Sequence, residues 1–134
     1  MDETISDNSI LIVDDNELNI EILEELLKQT GYKVRSAKSG KEALQSVKEK
    51  LPLLILLDIV MPGMDGYEVF EKLRSEKRTG HIPIIFVSAL NDENAKAKGM
   101  ILSGSNNYIT KPYNFAEVLL KIKTMVAIND EKWV

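Results

Sequence analysis

Five polar residues carry the chemistry this chain could do: Asp14, Asp15, Asp58, Ser88 and Lys111. The three aspartates and the serine stand at the ends of short apolar runs, and the lysine follows a short last strand. Asp14-Asp15 follows Ile10-Leu11-Ile12-Val13, and Asp58 follows Leu53-Leu54-Ile55-Leu56-Leu57. Ser88 ends Ile82 to Val87, and Lys111 follows Asn107 to Thr110. A short continuous apolar run bounded by turn residues fits a strand buried on both faces, as in a parallel sheet. In a parallel sheet all strand C-termini lie on one edge, so these residues converge although they are spread from position 14 to position 111. Three carboxylates in one pocket repel: at about 4 Å and an effective dielectric near 20, two unit charges interact by roughly 4 kcal/mol. The cluster therefore calls for a cation. With hard oxygen ligands and no His or Cys nearby, octahedral Mg²⁺ fits, and Mn²⁺ could substitute. Three carboxylates, one Mg²⁺ and one lysine sum to about zero, which no longer repels a phosphoryl group. Ser88 offers a hydroxyl to a phosphoryl oxygen. An Asp carboxylate can itself be the nucleophile, giving an aspartyl phosphate, with cation and lysine stabilising the transferring group.

The elements that must position these residues are legible. The chain has 134 residues and 44% apolar content, enough for one domain with a substantial core. Its net charge of −4 gives no basic footprint for nucleic acid. Without cysteine there is no disulfide framework or thiolate zinc site. No apolar run approaches a membrane span and no hydrophobic signal region opens the chain, so the reading is cytoplasmic with no membrane partner. Residues 1–9 read as a disordered tail, 10–128 as the domain, and 129–134, with the lone Trp133, as a tail or the start of a linker.

Asn16 is placed to cap a first helix carrying Leu18, Ile22, Leu23, Leu26 and Leu27, which Gly31 ends. Tyr32 to Ala37 reads as a strand. Lys41 to Lys50 is an amphipathic helix with Ala43, Leu44 and Val47 inward. Tyr67 to Arg74 has apolar residues at 67, 69, 70 and 73 on one helical face. His81 reads as an exposed loop residue. Asn91 to Ser103 is a weaker helix, since Gly99 inside it costs roughly 1 kcal/mol against Ala. Asn114 caps the last helix, striped by Phe115, Val118, Leu119, Ile122, Met125 and Val126. Five strands alternating with five helices argue for an α/β fold, a doubly wound parallel sheet with right-handed crossovers.

Taken together, Ile12-Val13-Asp14-Asp15-Asn16, Leu57-Asp58-Ile59-Val60-Met61-Pro62-Gly63-Met64-Asp65-Gly66, Val87-Ser88-Ala89 and Tyr108-Ile109-Thr110-Lys111-Pro112 cover nearly the whole chain. In this order and spacing the chain resembles the receiver domains of two-component response regulators. The resemblance implies the flavodoxin-like (βα)₅ fold with strand order 2-1-3-4-5, the order of CheY, itself a member of this family. It implies Asp58 as phosphoacceptor, Asp15 as a direct Mg²⁺ ligand, Asp14 as a ligand through water, and the backbone carbonyl of Val60 as a further ligand. Lys111 would contact the phosphoryl group, Ser88 would hydrogen-bond it, and Tyr108 would take the place of the switch aromatic. The donor would be a phosphohistidine on a sensor histidine kinase or a histidine phosphotransfer protein.

Between Ser88 and Lys111 the chain is one residue longer than the common receiver pattern, which touches the surface of the predicted helix 91–103. That helix, the last strand and the last helix form the face expected to signal and to meet a second copy in a homodimer. The reading is a phosphorylation-controlled signalling switch rather than a turnover enzyme, and two rivals stand beside it. A haloacid dehalogenase-type phosphatase carries Asp-x-Asp at its strand end, where this chain has Val60 two residues after Asp58. A degenerate receiver would lack part of Asp14, Asp15, Asp58 and Lys111. The chain also reads as a module of a longer signalling protein.

Overall fold

A computed structural model describes residues 8–89 and 108–131. The predicted helix 91–103, the extra residue near it, the tail 1–7 and Trp133 lie outside the described residues. The described elements run β1 Ser9–Val13, α1 Glu17–Leu27, β2 Lys33–Ala37, α2 Gly40–Glu49, β3 Leu54–Asp58, α3 Gly66–Arg74, β4 Ile84–Ala89, β5 Tyr108–Lys111 and α4 Phe115–Glu131, with a 3₁₀ turn at Lys28–Thr30. The strands form one parallel sheet in the order β2-β1-β3-β4-β5. Register aligns Val13 with Leu57, Asp58 with Val87, and Ala89 with Lys111. The carboxyl ends of β1, β3, β4 and β5 therefore meet on one edge.

Strand residues alternate between two cores, one on each side of the sheet. Leu11, Val13, Ile55, Leu57, Ile84 and Phe86 pack with residues of α2 and α3, where Tyr67 meets the Phe86 ring at 5.4 Å. Ile10, Ile12, Leu54, Leu56, Ile85 and Val87 pack with Ile20 and Leu23 of α1 and Val118 and Ile122 of α4. Strands buried on both faces are why the sequence shows continuous apolar runs rather than alternation.

The helix starts follow side-chain caps. Asn16 accepts from the N–H groups of Leu18 and Asn19, Ser39 from Glu42, Asp65 from Glu68 and Asn114 from Glu117. Gly31 ends the first helical segment at φ +84°, in the left-handed region that glycine tolerates.

The structure differs from expectation in five places. The elements reach beyond the expected bounds 10–128: Ser9 opens β1 and is buried, and α4 runs on to Glu131. In α1 the sheet is met by Ile20, while Leu18 is 62% exposed and Ile22 37%. Phe115, expected on the apolar stripe of the last helix, is 56% exposed and stands outside the core cluster that Val118 and Ile122 join. β4 begins at Ile84, two residues late; Ile82 and Pro83 are buried in its approach. His81 is half-buried rather than exposed.

Candidate functional site

The site grows from the strand ends. Asp14 and Asp58 each stand one step past apolar residues that cannot leave the core, so both carboxylates are held down as well: Asp14 is 2% exposed and Asp58 5%. Asp14 is fixed twice. Its backbone N–H donates to the Ala37 carbonyl, continuing the ladder, and its Oδ1 accepts from the Asn16 N–H at 2.9 Å. Asp15 turns outward and is exposed. One carboxylate oxygen from each of Asp14, Asp15 and Asp58 lies within 4.8 Å of the others.

Lys111 closes the pocket from the end of β5. Its Nζ lies 3.1 Å from Asp14 Oδ2 and 3.4 Å from Asp58 Oδ2. The lysine thus takes up the charge of two buried anions at once. Even so, burial first, and the Asp14 charge second, push the Asp58 carboxyl up to about 7, against the pull of Lys111. A pocket that still disfavours its own anion with a lysine present has room for more positive charge. Three converging oxygen donors of this kind suit a hard divalent cation.

Ser88 is fully buried at the end of β4, aligned with Thr110 of β5. By strand alternation it faces the α2–α3 side, the same side as Tyr108, whereas Asp58 continues the α1–α4 side. Tyr108 is itself 6% exposed and belongs to the α2–α3 core cluster. Val60, two residues past Asp58, is 57% exposed on the loop beyond β3. The structure therefore brings Asp14, Asp15, Asp58 and Lys111 together directly, and places Ser88 and Val60 on the segments beside them.

Two further residues shape the site. Gly66 donates its N–H to the Ile59 carbonyl, closing the loop after Asp58. A Cβ there would collide with the Asp58 carbonyl oxygen and lie 2.8 Å from Ile59 Cα. Gly66→Ala is expected to lower stability by about 1–3 kcal/mol, the usual cost of overpacking, measurable as a lower melting temperature; an unchanged melt would show that the loop can yield. Tyr113 is the other. It follows the cis Lys111-Pro112 bond and packs against the α1–α4 core cluster. The sequence signal for it was an aromatic two residues past Lys111, indistinguishable there from core filler.

An open doubly wound sheet with an acidic, lysine-bridged pocket at its carboxyl edge defines an α/β domain with a ligand site where such sheets bind ligands. Comparison with known proteins narrows the class. The family model described as the response regulator receiver domain matches residues 10–123. The response regulator PleD of Caulobacter vibrioides is 37% identical over 116 residues, 87% of this chain and 25% of that protein. The alkaline phosphatase synthesis transcriptional regulatory protein PhoP of Bacillus subtilis is 38% identical over 117 residues, 87% of this chain and 48% of its own length. The signal receiver domain of a signal transduction histidine kinase from Syntrophus aciditrophicus superposes with TM-score 0.80 at 30% identity, covering 90% of each chain. A CheY-like receiver domain protein from Methanospirillum hungatei gives TM-score 0.82 at 28% identity, covering 93% of this chain and 98% of that one. The chain belongs to the response regulator receiver domain family of two-component systems. It spans between a quarter and a half of the length of these curated relatives.

Proposed function

We propose that Asp58 accepts a phosphoryl group from the phosphohistidine of a sensor histidine kinase or histidine phosphotransfer protein. The observation that carries this is the bridge from Lys111 Nζ to the two buried carboxylates, Asp14 at 3.1 Å and Asp58 at 3.4 Å, with an Asp15 oxygen close by. An Asp58 oxygen attacks the phosphorus, the phosphorus–nitrogen bond breaks, and the imidazole leaves with its electron pair. Water attack on the same phosphorus later returns the carboxylate and releases phosphate. Asp14, Asp15, Asp58 and the Val60 carbonyl would hold Mg²⁺, or Mn²⁺ in its place, which supplies charge neutralisation for the transferring group. Lys111 moves its charge to the new phosphoryl oxygens, and the Ser88 hydroxyl donates to one of them. Tyr108 then repacks within the α2–α3 side, passing the change to the surface.

Side chains around the pocket support a switch rather than a turnover enzyme. Val60 occupies the position where a strand-end phosphatase would carry its second acid, and its side chain has no proton to give. Leu18, exposed in the first turn of α1, and Phe115, exposed in the first turn of α4, flank the site edge and offer an apolar landing for the donor protein. On α4, Leu120 at 66% and Ile128 at 47% exposure give the helix an outward apolar strip suited to a second copy in a homodimer. Among the described residues no helix is long and apolar enough to cross a membrane.

The test is the intact mass after incubation with acetyl phosphate. A gain of one phosphoryl group is expected with Mg²⁺ and none with a chelator. Equal labelling in both would overturn the metal-dependent reading.

A further inference from the structure

We infer that the Tyr113 hydroxyl is a positioning donor for the acidic pocket, serving the Asp14 carboxylate or water held there when a divalent cation takes over the charge that Lys111 now supplies. The inference rests on the metal-binding reading above and deepens it. The Tyr113 hydroxyl is buried and makes no hydrogen bond among the described residues. A buried hydroxyl without a partner is costly, and a phenylalanine would fill the same space without it. The ring packs on the α1–α4 side against the core cluster that includes Ile10, Ile12, Leu54 and Leu56. Asp14 and Asp58 continue that same side, each two residues beyond a member of the cluster, Ile12 and Leu56. Tyr113 is also two residues past Lys111, whose Nζ touches both carboxylates. The neighbouring anions are felt: burial first, then Asp14 and Asp58, hold the phenol well above its ordinary range, so it remains a donor at any working pH. In the lysine-bridged state both Asp14 oxygens are engaged, Oδ1 by the Asn16 N–H and Oδ2 by Lys111. When the lysine moves off, Asp14 Oδ2 is freed as an acceptor on the α1–α4 side of the sheet, the side against which Tyr113 packs. Partners that orient metal-binding carboxylates from behind commonly set metal affinity.

Tyr113→Phe isolates the hydroxyl. Mg²⁺ binding is measured by calorimetry on wild type and variant, alongside melting in metal-free buffer. The expected result is an Mg²⁺ dissociation constant raised roughly tenfold, with the metal-free melting temperature unchanged or higher. A dissociation constant within about twofold of wild type overturns the inference. So does weakened binding accompanied by a matching fall in metal-free melting, which would make Tyr113 structural. Wild-type protein that binds no Mg²⁺ would overturn the metal reading itself, and this inference with it.

Discussion

In metal-free buffer at pH 8, Asp58→Asn is expected to melt above wild type, and the difference should close as the pH falls to about 4. Asp58 is pushed up from an ordinary carboxylate value to about 7 by burial and by Asp14. The unfolded chain gives up that proton near pH 4, while the folded chain keeps it until near pH 7. Wild-type stability is therefore lost progressively as pH rises through that window, and the deficit is complete above it. Asparagine has nearly the same shape and no charge, so it escapes the deficit. It also leaves the Lys111–Asp14 contact at 3.1 Å in place. At about 1.4 kcal/mol per pKa unit the gain is on the order of 2–4 kcal/mol, several degrees of melting temperature. Thermal melts of both proteins across pH 4–8 decide it; a variant less stable than wild type at pH 8 would mean the carboxylate is a net structural asset.

Lys111→Ala should slow phosphorylation by about 100-fold or more at saturating Mg²⁺, the usual scale for removing a preorganised charge from a site where charge develops. A lysine at a strand end has little packing to lose. The structure adds that it bridges two buried carboxylates, so its removal also leaves Asp14 and Asp58 uncompensated. The variant should melt lower than wild type in metal-free buffer near pH 8, and Mg²⁺ should restore much of the difference because a divalent cation can supply the missing charge. Labelling rates by mass spectrometry and melts with and without Mg²⁺ separate the two effects. Normal labelling with a permanently lowered melt would make Lys111 a structural residue.

The centre of the sheet was legible because β1 and β3 are buried on both faces, which compresses them, like β4, into apolar runs that end where the core ends. The same ending exposes the site: Asp14, Asp58 and Ser88 are the first polar residues after those runs, while Lys111 ends the shorter, mixed β5. Helix facing was less legible. Along α1, Leu18, Ile20, Ile22, Leu23, Leu26 and Leu27 cover more than half the helix circumference, so period alone does not tell which stripe meets the sheet. Packing chose Ile20 and left Leu18 and Ile22 outside. Phe115 misled for a related reason: its spacing matches the stripe, but only Val118 and Ile122 of that stripe are buried in the core. Tyr113 and Gly66 are invisible as site residues in one sequence, because a buried donor and a forbidden Cβ are defined by what surrounds them.

The central claim is that Asp58 is the phosphoryl acceptor. Borohydride reduction converts an aspartyl phosphate to homoserine, which survives digestion and can be mapped by peptide mass. After phosphorylation with acetyl phosphate and Mg²⁺, homoserine is expected at position 58 and nowhere else, and in Asp58→Asn protein not at all. Homoserine at position 14 or 15, or undiminished phosphate on the Asp58→Asn variant, would contradict the account.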